Sequence, residues 1–553
     1  MGRMYGTMGL NYYTSKEGVK NGQMAMRGQI AKRSGKNSST PDLIFLNANI
    51  ITLDPYPPRA EMAVIGGGKV LFVGNTRDLK ELRHGRSKVI DCHGKTLLPG
   101  FNDAHCHFIG FAESLVSCTF GPKELHVISD IQDRIRKFAQ HLPPGTWIKA
   151  RAYDEFYLDE KRHPTRRDLD IATSTHPVKL AHRSGHAHVL NSLAMKIARI
   201  SAKTPEPPGA IIQRDPSTGE PDGVLFGMGP YLSKIVPSMN DSDQNRGVKQ
   251  AGQQLLSLGI TSIQDVSSQN DIHRWHLFQK CKSSGHLKCR VNMMLGFDGF
   301  KSYRQEESFH ELPMDELRIS GVKIVIHETT SELYPPQSKL NEIVFEIHQA
   351  GLQVAIHAIE ERTIEAACSA IEYALRKLPR SDHRHRIEHC SVCTPSLSKR
   401  LASLGIMVVT NPSFIYFNGD RYLKTVPDGQ LKHLYPIATL TKNGVKVAAG
   451  SDCPVVPVNP LIGICSAICR MTEAGKAVLP PEGITPFEAL RMYGDYAARA
   501  TFEEAMKGSI TPGKFADLVI LSGDPTKLPP NEIKDIEVKM TVLNGKVVWD
   551  NMS

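Results

Sequence analysis

Two histidines stand one residue apart behind a proline-glycine pair, in the segment Leu98-Pro-Gly-Phe-Asn-Asp-Ala-His-Cys-His107. In an extended strand, residues i and i+2 project to the same face, so His105 and His107 could bind one cation while Cys106 points away. The pair alone is weak support for a metal site, because a single histidine is more often an ordinary core or surface residue.

Four further polar residues end or interrupt short apolar runs later in the chain. They are Lys323 in Gly321-Val-Lys-Ile-Val-Ile-His327, His357 in Val354-Ala-Ile-His357, His389 in Arg386-Ile-Glu-His389 and Asp452 in Ala448-Ala-Gly-Ser-Asp452. A barrel strand delivers a side chain to the catalytic mouth in this way. His105, His107 and Asp452 could hold one divalent cation. His357 and His389 could hold a second.

Lys323 is the residue on which the number of metals depends. Strand alternation puts Lys323 on the face opposite Val322 and Ile324, so the lysine points inward if the apolar face meets the helices. A free ammonium beside two cations would be strongly disfavoured. A plain lysine beside a single metal therefore remains an alternative.

The elements that must position these residues are short apolar strands that alternate with helical patterns. One strand ends at His107, and the others cover 259–266, 288–295, 321–326, 352–357, 383–389, 405–411 and 445–452. Eight strands with intervening helices predict a (β/α)8 barrel of the TIM type over residues 99–505. The gap from about 108 to 258 is too long for one crossover, so we expect an insertion there that shapes the pocket.

Both ends of the chain carry a different pattern of short β-rich runs punctuated by turns. Residues 42–98 and 506–553 share this style, which predicts one small composite β-sandwich built from both ends, within an α/β fold overall. Gly66-Gly67-Gly68 lies between two such strands and is interpreted as a hairpin turn. It does not fit a phosphate loop, because no Gly-Lys-Ser/Thr follows and the next element is a strand.

The net charge of +10 is concentrated at the start of the sequence. Seven basic residues and one acid in residues 1–40 account for +6, which leaves +4 for the rest. A nearly balanced body argues against a nucleic-acid surface, and residues 1–41 are interpreted as a disordered basic arm. This arm lacks the apolar region of a secretory signal, while an organellar transit peptide or a later start at Met24 or Met26 remain alternatives.

No apolar run approaches the roughly 18 residues that cross a bilayer, so we expect no membrane association. The eleven cysteines form no regular framework, which favours reduced thiols and a cytoplasmic location. Cys390 and Cys393 form a CxxC pair. A second, structural zinc there is disfavoured because no second CxxC or histidine pair accompanies it.

With these positions identified, the chain resembles the amidohydrolase superfamily, whose pattern is HxH on strand 1, Lys on strand 4, His on strands 5 and 6, and Asp on strand 8. Three more segments resemble its YtcJ-like branch, amidohydrolase family 3. They are Asp42-Leu-Ile-Phe-Leu-Asn-Ala-Asn-Ile50, Ser184-Gly-His-Ala-His-Val-Leu-Asn-Ser192 and Gly513-Lys-Phe-Ala-Asp-Leu-Val-Ile520. The resemblance runs from about residue 42 to the end.

The resemblance implies how the site would work. In this superfamily the strand-4 lysine is often carboxylated, so Lys323 would bridge two metals, with zinc expected first and Mn, Fe, Co or Ni as alternatives. A metal-activated hydroxide would attack the substrate carbonyl, and Asp452 would pass the proton to the departing nitrogen. Arg183, His186 and His188 would lie in a loop near the pocket, where one could steady the oxyanion. Purely structural contacts by these three are the alternative.

The function that follows is hydrolysis of a C–N bond in an amide, formamide or cyclic amide of a small molecule. A non-catalytic scaffold with the same barrel is one alternative, and hydrolysis of an ester, lactone or phosphoester by the same metals is another. His327-Glu328 and Ala358-Ile-Glu-Glu361 depart from the Asp-Gly and Gly-Asp common in relatives, so no relative's substrate can be transferred. Barrels of this superfamily frequently pair, which leaves a homodimer open.

Overall fold

The computed structural model describes residues 40–79, 87–121, 124–303, 315–327 and 332–552. The predicted basic arm lies outside the described residues except for its last two positions, and Glu328 lies outside them as well. Within the described ranges, no helix is both long enough and apolar enough to span a bilayer. All eleven cysteines are unbridged.

The first strands of the chain belong to two different sheets. They are β1 (Leu43–Leu46), β2 (Asn49–Ile51), β3 (Arg59–Ala60), β4 (Met62–Gly66), β5 (Lys69–Gly74), β6 (Lys88–Asp91) and β7 (Thr96–Pro99). The sequence pattern predicts one run from 43 to 53, but Asn47 has a φ of 49° and breaks it. Asparagine adopts this left-handed conformation more readily than most residues. Strand β1 therefore joins the four-stranded sheet β5-β4-β1-β6, while β2 enters a second sheet.

The first barrel strand, β8 (Phe101–Cys106), is followed by helix α1 (Phe108–Ser114) and then by the predicted insertion. The insertion contains strands β9 (Cys118–Thr119), β10 (Ile148–Tyr153), β11 (Val178–His182), β12 (Ala187–Leu190), β13 (Ile211–Arg214) and β14 (Pro221–Phe226). Its helices are α2 (Ile128–Ala139), α3 (Arg166–Ala172), α4 (Ser192–Ile197) and α5 (Gly229–Leu232). The strands form one six-stranded sheet in the order β13-β14-β12-β11-β10-β9.

Helix α6 (Asp241–Ser257) falls inside the span expected for the insertion, yet it packs as a barrel helix. Its residues Val248, Ala251 and Leu255 are buried in the same apolar cluster as Ile263 of the next barrel strand. The insertion therefore gives way to the barrel before this helix rather than at about residue 258.

Seven more parallel strands complete the barrel: β15 (Ile260–Asp265), β16 (Arg290–Gly296), β17 (Leu317–Val325), β18 (Val354–Ala358), β19 (Arg386–His389), β20 (Met407–Thr410) and β21 (Val447–Ala449). The helices of this region are α7 (Ile272–Ser283), α8 (Phe297–Tyr303), α9 (Gln337–Gln349), α10 (Glu361–Lys377), α11 (Pro395–Ser403), α12 (Ser413–Thr425), α13 (Asp428–Leu431), α14 (Ile437–Lys442), α15 (Pro460–Cys469), α16 (Pro486–Tyr493) and α17 (Asp495–Arg499). Every residue of β15 and β16 is buried, as expected for strands covered on both faces.

The eight barrel strands follow one another in sequence order, from β8 through β15 to β21. The loop after β21 returns to β8, because the Asp452 amide donates to the His105 carbonyl at 2.7 Å and the His107 amide donates to the Cys453 carbonyl at 2.9 Å. Each of the eight strands overlaps its predicted range, although β17 begins at Leu317 and β21 ends at Ala449. The (β/α)8 barrel prediction is confirmed.

The last strands are β22 (Leu518–Leu521), β23 (Val538–Leu543) and β24 (Lys546–Asp550). They form the six-stranded sheet β24-β23-β22-β7-β2-β3, in which Leu97 of β7 pairs with Ile520 of β22. Leu97, Ile520 and Phe45 of the other sheet share one apolar core. The composite β-sandwich predicted from both ends is therefore confirmed.

A buried ion pair joins the sandwich to the barrel. Arg290, the first residue of β16, donates from Nε to Oδ2 of Asp517 at 2.6 Å and from Nη2 to Oδ1 at 3.2 Å. The ring of Phe515 lies 3.8 Å from the guanidinium carbon. Phe515 and Asp517 both belong to the segment Gly513–Ile520. The aspartate of that segment therefore has a structural role as the partner of Arg290.

Candidate metal centre

The two histidines of the HxH segment converge on one carboxylate. His105 Nε2 lies 3.4 Å and His107 Nε2 lies 3.0 Å from Oδ1 of Asp452. Strand β8 ends at Cys106, so His107 caps α1 rather than continuing the strand, but its ring still reaches the same oxygen. The loop that carries Asp452 is held by Asp103, which accepts from the Ser451 hydroxyl at 2.6 Å and from the Ser451 amide at 2.8 Å.

The other expected ligands lie beside this group. The His389 ring centroid is 4.7 Å from that of His105 and 4.5 Å from that of His357. Lys323 of β17 is buried, and its Nζ has no hydrogen-bond partner among the residues that the structure describes. The six side chains expected from the sequence line one cavity of about 460 Å³. The barrel thus brings together residues that are up to 347 positions apart in the chain, from His105 to Asp452.

Three of the rings are fixed by hydrogen bonds on the side away from the cavity. His105 Nδ1 lies 2.5 Å from Oε2 of Glu388, and His107 Nδ1 lies 2.9 Å from Oγ of Ser267. His389 Nδ1 lies 2.7 Å from Oδ1 of Asn411. Such partners set the tautomer and leave Nε2 free to bind a metal. Sequence reasoning missed all three, although the carboxylate of Glu388 within an apolar strand was a visible signal.

His389 reaches the cavity because the backbone turns there. Strand alternation would place it on the face opposite Glu388, but His389 has a φ of 70° and Cys390 a φ of 51°. This left-handed turn ends β19 and brings His389 to the same side as Glu388. Consecutive positive φ values at non-glycine residues are strained, and such strain is concentrated at functional sites.

The protonation states of these groups suit metal binding. Burial alone would raise the pKa of Asp452, but the charge of His105 and the hydrogen bonds from both HxH histidines hold that pKa well below its usual range. Burial lowers the pKa of His389 to about 3 and lowers that of His357 strongly. His357 and His389 are therefore neutral and Asp452 is ionised near neutral pH, and these are the forms that bind a divalent cation. Burial would lower the pKa of His105, but Asp452 and Glu388 raise it, so a cation bound there would displace a proton.

Two buried nitrogen atoms at this site have no hydrogen-bond partner among the described residues of the protein. His105 Nε2 and Lys323 Nζ both lack a hydrogen-bond partner within the described part of the chain. Buried polar atoms without partners are uncommon and call for an explanation such as a bound ion. The pKa of Lys323 is lowered to about 8, first by burial and against the pull of Glu388 and Asp452, so a neutral amine is accessible there. The residues present fit a divalent metal.

Arg183, His186 and His188 all line the same cavity. His186 lies in the turn before β12, and its ring centroid is 5.8 Å from that of His357. The expected loop location is wrong for His188, which lies on β12 because residues Ala187–Leu190 pair antiparallel with β11 and β14. Arg183 is engaged elsewhere, since its Nη1 lies 3.4 Å from Oδ2 of Asp154.

Asp154, Glu155 and His182 form another group of potential ligands that sequence reasoning missed. His182 Nε2 lies 3.1 Å from Oε2 of Glu155, and Arg421 of α12 lies 3.3 Å from Asp154 and 3.4 Å from Glu155. Arg421 and Arg183 together balance the charges of the two carboxylates. The group therefore acts as an ion-pair network that ties the insertion to α12.

The CxxC pair has no comparable surroundings. Cys390 and Cys393 are buried, and neither belongs to a cluster of three potential ligands within the described ranges. The alternative of a structural zinc at this pair gains no support from the geometry.

A family model described as the amidohydrolase family matches residues 88–549. The chain is 28% identical over 543 residues to an N-substituted formamide deformylase of Arthrobacter pascens, which covers 92% of this chain and 98% of the relative. It is 27% identical over 536 residues to the putative amidohydrolase YtcJ of Bacillus subtilis, covering 91% and 98%. A solved structure of an uncharacterized metal-dependent hydrolase from Pyrococcus horikoshii shares the fold, with a TM-score of 0.70, 22% identity and coverage of 88% of this chain and 99% of that one.

Proposed function

This chain belongs to the amidohydrolase family, and from that membership we propose that it is a metal-dependent hydrolase of a C–N bond in a small amide, formamide or cyclic amide. The observation that carries the proposal is the convergence of three histidines, a lysine and a carboxylate around His105 in one cavity. Its similarity to a formamide deformylase supports the reaction class. An identity of 28% leaves the substrate to be determined.

The residues that would hold metal divide into two groups. His105, His107 and Asp452 would hold one divalent cation. His357 and His389 would hold a second, and the amine of Lys323, after adding CO2 and releasing a proton, would supply carbamate oxygens to the metals. A cation bound there polarises a carbonyl oxygen and acidifies water. Zinc is the first candidate, and Mn, Fe, Co or Ni would accept the same donors.

Asp452 is the residue we assign as general base and acid. Its carboxylate stays ionised, so it can accept a proton from water as the water oxygen adds to the carbonyl carbon. It can then return that proton to the amine nitrogen as the C–N bond breaks. One water is consumed. An amide or formamide gives a carboxylic acid, or formate, and an amine, whereas a cyclic amide gives one ring-opened product that carries both groups.

His188 and His186 would donate to the oxygen that becomes negative. His188 Nδ1 is buried without a hydrogen-bond partner in the described structure, and burial lowers its pKa well below the usual range, so the ring is neutral. A neutral imidazole carries one N–H for donation to an oxyanion. We assign Arg183 a positioning role, because its pair with Asp154 holds the turn that carries His186.

Two alternatives stay in view. A non-catalytic scaffold would have no need for buried, unpartnered ligand atoms at His105 and Lys323. An ester, lactone or phosphoester hydrolase would use the same residues, and only a substrate panel separates these reactions from amide hydrolysis.

The test is metal content together with turnover. Protein purified without chelator, in bicarbonate buffer, is analysed for metals and assayed against N-formyl and N-acyl amines and their matched esters. Near two metals per chain with amide or formamide turnover supports the proposal. Near one metal keeps the hydrolase but leaves Lys323 as a plain lysine. Neither metal nor turnover, in protein made with ample zinc, would favour the scaffold.

A further inference from the structure

The sheet of the insertion turns a cationic face towards the cavity that the candidate metal ligands line. Strands β10 and β11 run parallel, with Lys149 directly opposite Lys179. The alternating residues Ile148 and Leu180 are buried in the insertion's own apolar core. Alternation therefore puts Lys149, Arg151 and Lys179 on the other face. Arg151 and Lys179 line the cavity that holds the metal centre.

A smaller cavity of about 190 Å³ adjoins the first one and is lined by the same cations. Arg274 of α7 reaches it from the barrel side, opposite Lys149, Arg151 and Lys179. Glu113 is the one acid among its described lining residues, and Oε2 of Glu113 lies 3.3 Å from Nη2 of Arg151. Four cationic side chains therefore face one carboxylate, and that carboxylate already forms an ion pair with Arg151.

The remaining cations are unpaired. The side chains of Lys149, Lys179 and Arg274 make no hydrogen bond or ion pair with any described residue. Like charges directly opposite each other on neighbouring strands destabilise a sheet, and here they are also half-buried. Burial, and then the nearby Arg151, lower the pKa of Lys179 to about 8. Such an arrangement costs stability, and strongly shifted pKa values in a cleft are more frequent at functional sites.

We propose that this end of the cavity is an anion subsite, where Lys179, Arg274 and Lys149 bind a carboxylate or similar anionic group of the substrate. The inference rests on the proposed function and narrows it, because the scissile C–N bond would then lie at the metal end of the same cavity. The substrate class is an N-formyl or N-acyl compound that carries an anionic group on the part away from the cleaved bond.

The chemistry of the subsite suits a carboxylate or a phosphate. Arg274 presents a planar fork that matches either anion, while the two lysines supply point charges. A cavity lined by one sign of charge also raises the local concentration of anions, which favours their capture from solution. His188 lies on the next strand, opposite Ala181, and so stands on the same face of the insertion sheet.

The first test compares a charged substrate with its neutral counterpart. We would measure kcat/KM for 4-formamidobutyrate and for its uncharged amide, and take the ratio of the two values. In Lys179→Met and in Arg274→Met that ratio should fall about 10- to 100-fold, as expected for loss of a charge-assisted contact. Lys196→Met, which removes an exposed lysine of α4, should leave the ratio unchanged. An unchanged ratio in both cavity variants would overturn the subsite.

The second test does not depend on turnover. Calorimetric titration of the purified protein with glutarate and with glutaramide should show preferential binding of the dicarboxylate, weakened at least about tenfold in Lys179→Met. If no amide is hydrolysed but this preference stands, the hydrolase proposal fails and the subsite survives. If the amides are hydrolysed without any preference for charge, the hydrolase proposal survives and the subsite is refuted.

A competition experiment with inorganic phosphate distinguishes an anionic group of the substrate from a free anion as the occupant of the subsite. Phosphate should compete with 4-formamidobutyrate in the wild-type protein, and this competition should weaken in Lys179→Met. If phosphate instead accelerates hydrolysis of the neutral amide without competing with the carboxylate, the occupant is a free anion and the assignment to the substrate is wrong.

Discussion

His105 and Glu388 form a fully buried pair in which Nδ1 of the imidazole lies 2.5 Å from Oε2 of the carboxylate. Arg386 holds that carboxylate from the other side, and its Nη2 also donates to the Ala104 carbonyl at 2.7 Å. The strand that carries His105 and the strand that carries Glu388 are thus joined across the barrel interior. The orientation of His105 is therefore fixed by buried residues of the barrel interior.

Replacing Glu388 by Gln should weaken metal binding without removing any ligand. The amide is neutral and no longer enforces one tautomer of His105, and loss of such a partner typically costs about 10- to 100-fold in metal affinity or activity. Titration against a competing chelator measures the effect. Glu342→Gln, at an exposed position of α9, is the control. Equal affinity in both variants would contradict a positioning role for Glu388.

Asp452→Asn should leave the fold intact and lower kcat by at least about 100-fold, because the amide cannot accept the proton from water. Steady-state kinetics on the best substrate of the panel, with circular dichroism as a check on folding, provide the measurement. Asp298→Asn changes a fully exposed aspartate and should behave like the wild type. Near wild-type turnover in Asp452→Asn would remove this residue from the mechanism.

Lys323→Ala should lose one metal ion per chain. The carbamate oxygens that we propose as a bridge would be absent, and a short carboxylate such as acetate or propionate should restore part of the metal content and activity by occupying the space. Elemental analysis with and without added carboxylate is the readout. Lys301→Ala, at an exposed position of α8, is the control. Metal content that does not change refutes the bridge.

The preference for anionic substrates should depend on pH through Lys179. Its pKa is lowered to about 8 by burial and by Arg151, so the ammonium is present below that pH and is lost as the pH rises through it. Lys149 and Arg274 also face the group, and Glu113 opposes them. The kcat/KM ratio of carboxylate to amide substrate should therefore fall above about pH 8.

Lys179→Arg tests this assignment directly. A guanidinium stays protonated throughout the assay range, so the variant should keep the preference for the carboxylate at high pH. If the ratio of the two substrates falls at the same pH in wild type and variant, another group is responsible for the titration.

Asp517→Asn should destabilise the protein by about 3–5 kcal/mol, because it removes the two-point carboxylate contact of buried Arg290 and leaves it with the longer contact to the Asp315 carboxylate at 3.4 Å. The free energy of unfolding in urea, measured at fixed metal concentration, reports the loss. Asp535→Asn, at an exposed position, should change it little. The double variant Arg290→Met with Asp517→Leu should recover part of the loss, because apolar side chains then replace both charges. A wild-type value for Asp517→Asn would exclude a stabilising role for the pair.

The barrel was predictable because its strands are covered on both faces. Such strands appear in the sequence as short, nearly continuous apolar runs, and helical patterns separate them. A polar residue at the end of each run then stands out, as Lys323 and His357 do. The ligand set followed from these polar strand ends together with the resemblance to the amidohydrolase pattern, since parallel strands bring their carboxyl ends to one mouth.

The partners of those ligands were not predictable from pattern. Strand alternation predicts which face a side chain occupies, but it does not predict a partner far away in the sequence. Glu388 is 283 residues from His105, and Ser267 is 160 residues from His107. Backbone turns such as the positive φ at Asn47 and at His389 also redirect the chain without a strong local signal. The cationic face was also not predictable from the sequence, because Lys149 and Lys179 become neighbours only when β10 pairs with β11.

The composite sandwich has a consequence for the order of folding. Asn49 donates a hydrogen bond to Asp524, which lies 475 positions further along the chain. Strand β7 ends at residue 99 and its partner β22 begins at residue 518, so β7 presents an unpaired edge for roughly 20 to 80 seconds of synthesis at about 5–20 residues per second. An unpaired edge can pair with other chains. All eight barrel strands, the last of which ends at residue 449, are therefore synthesised while one edge of β7 is still open.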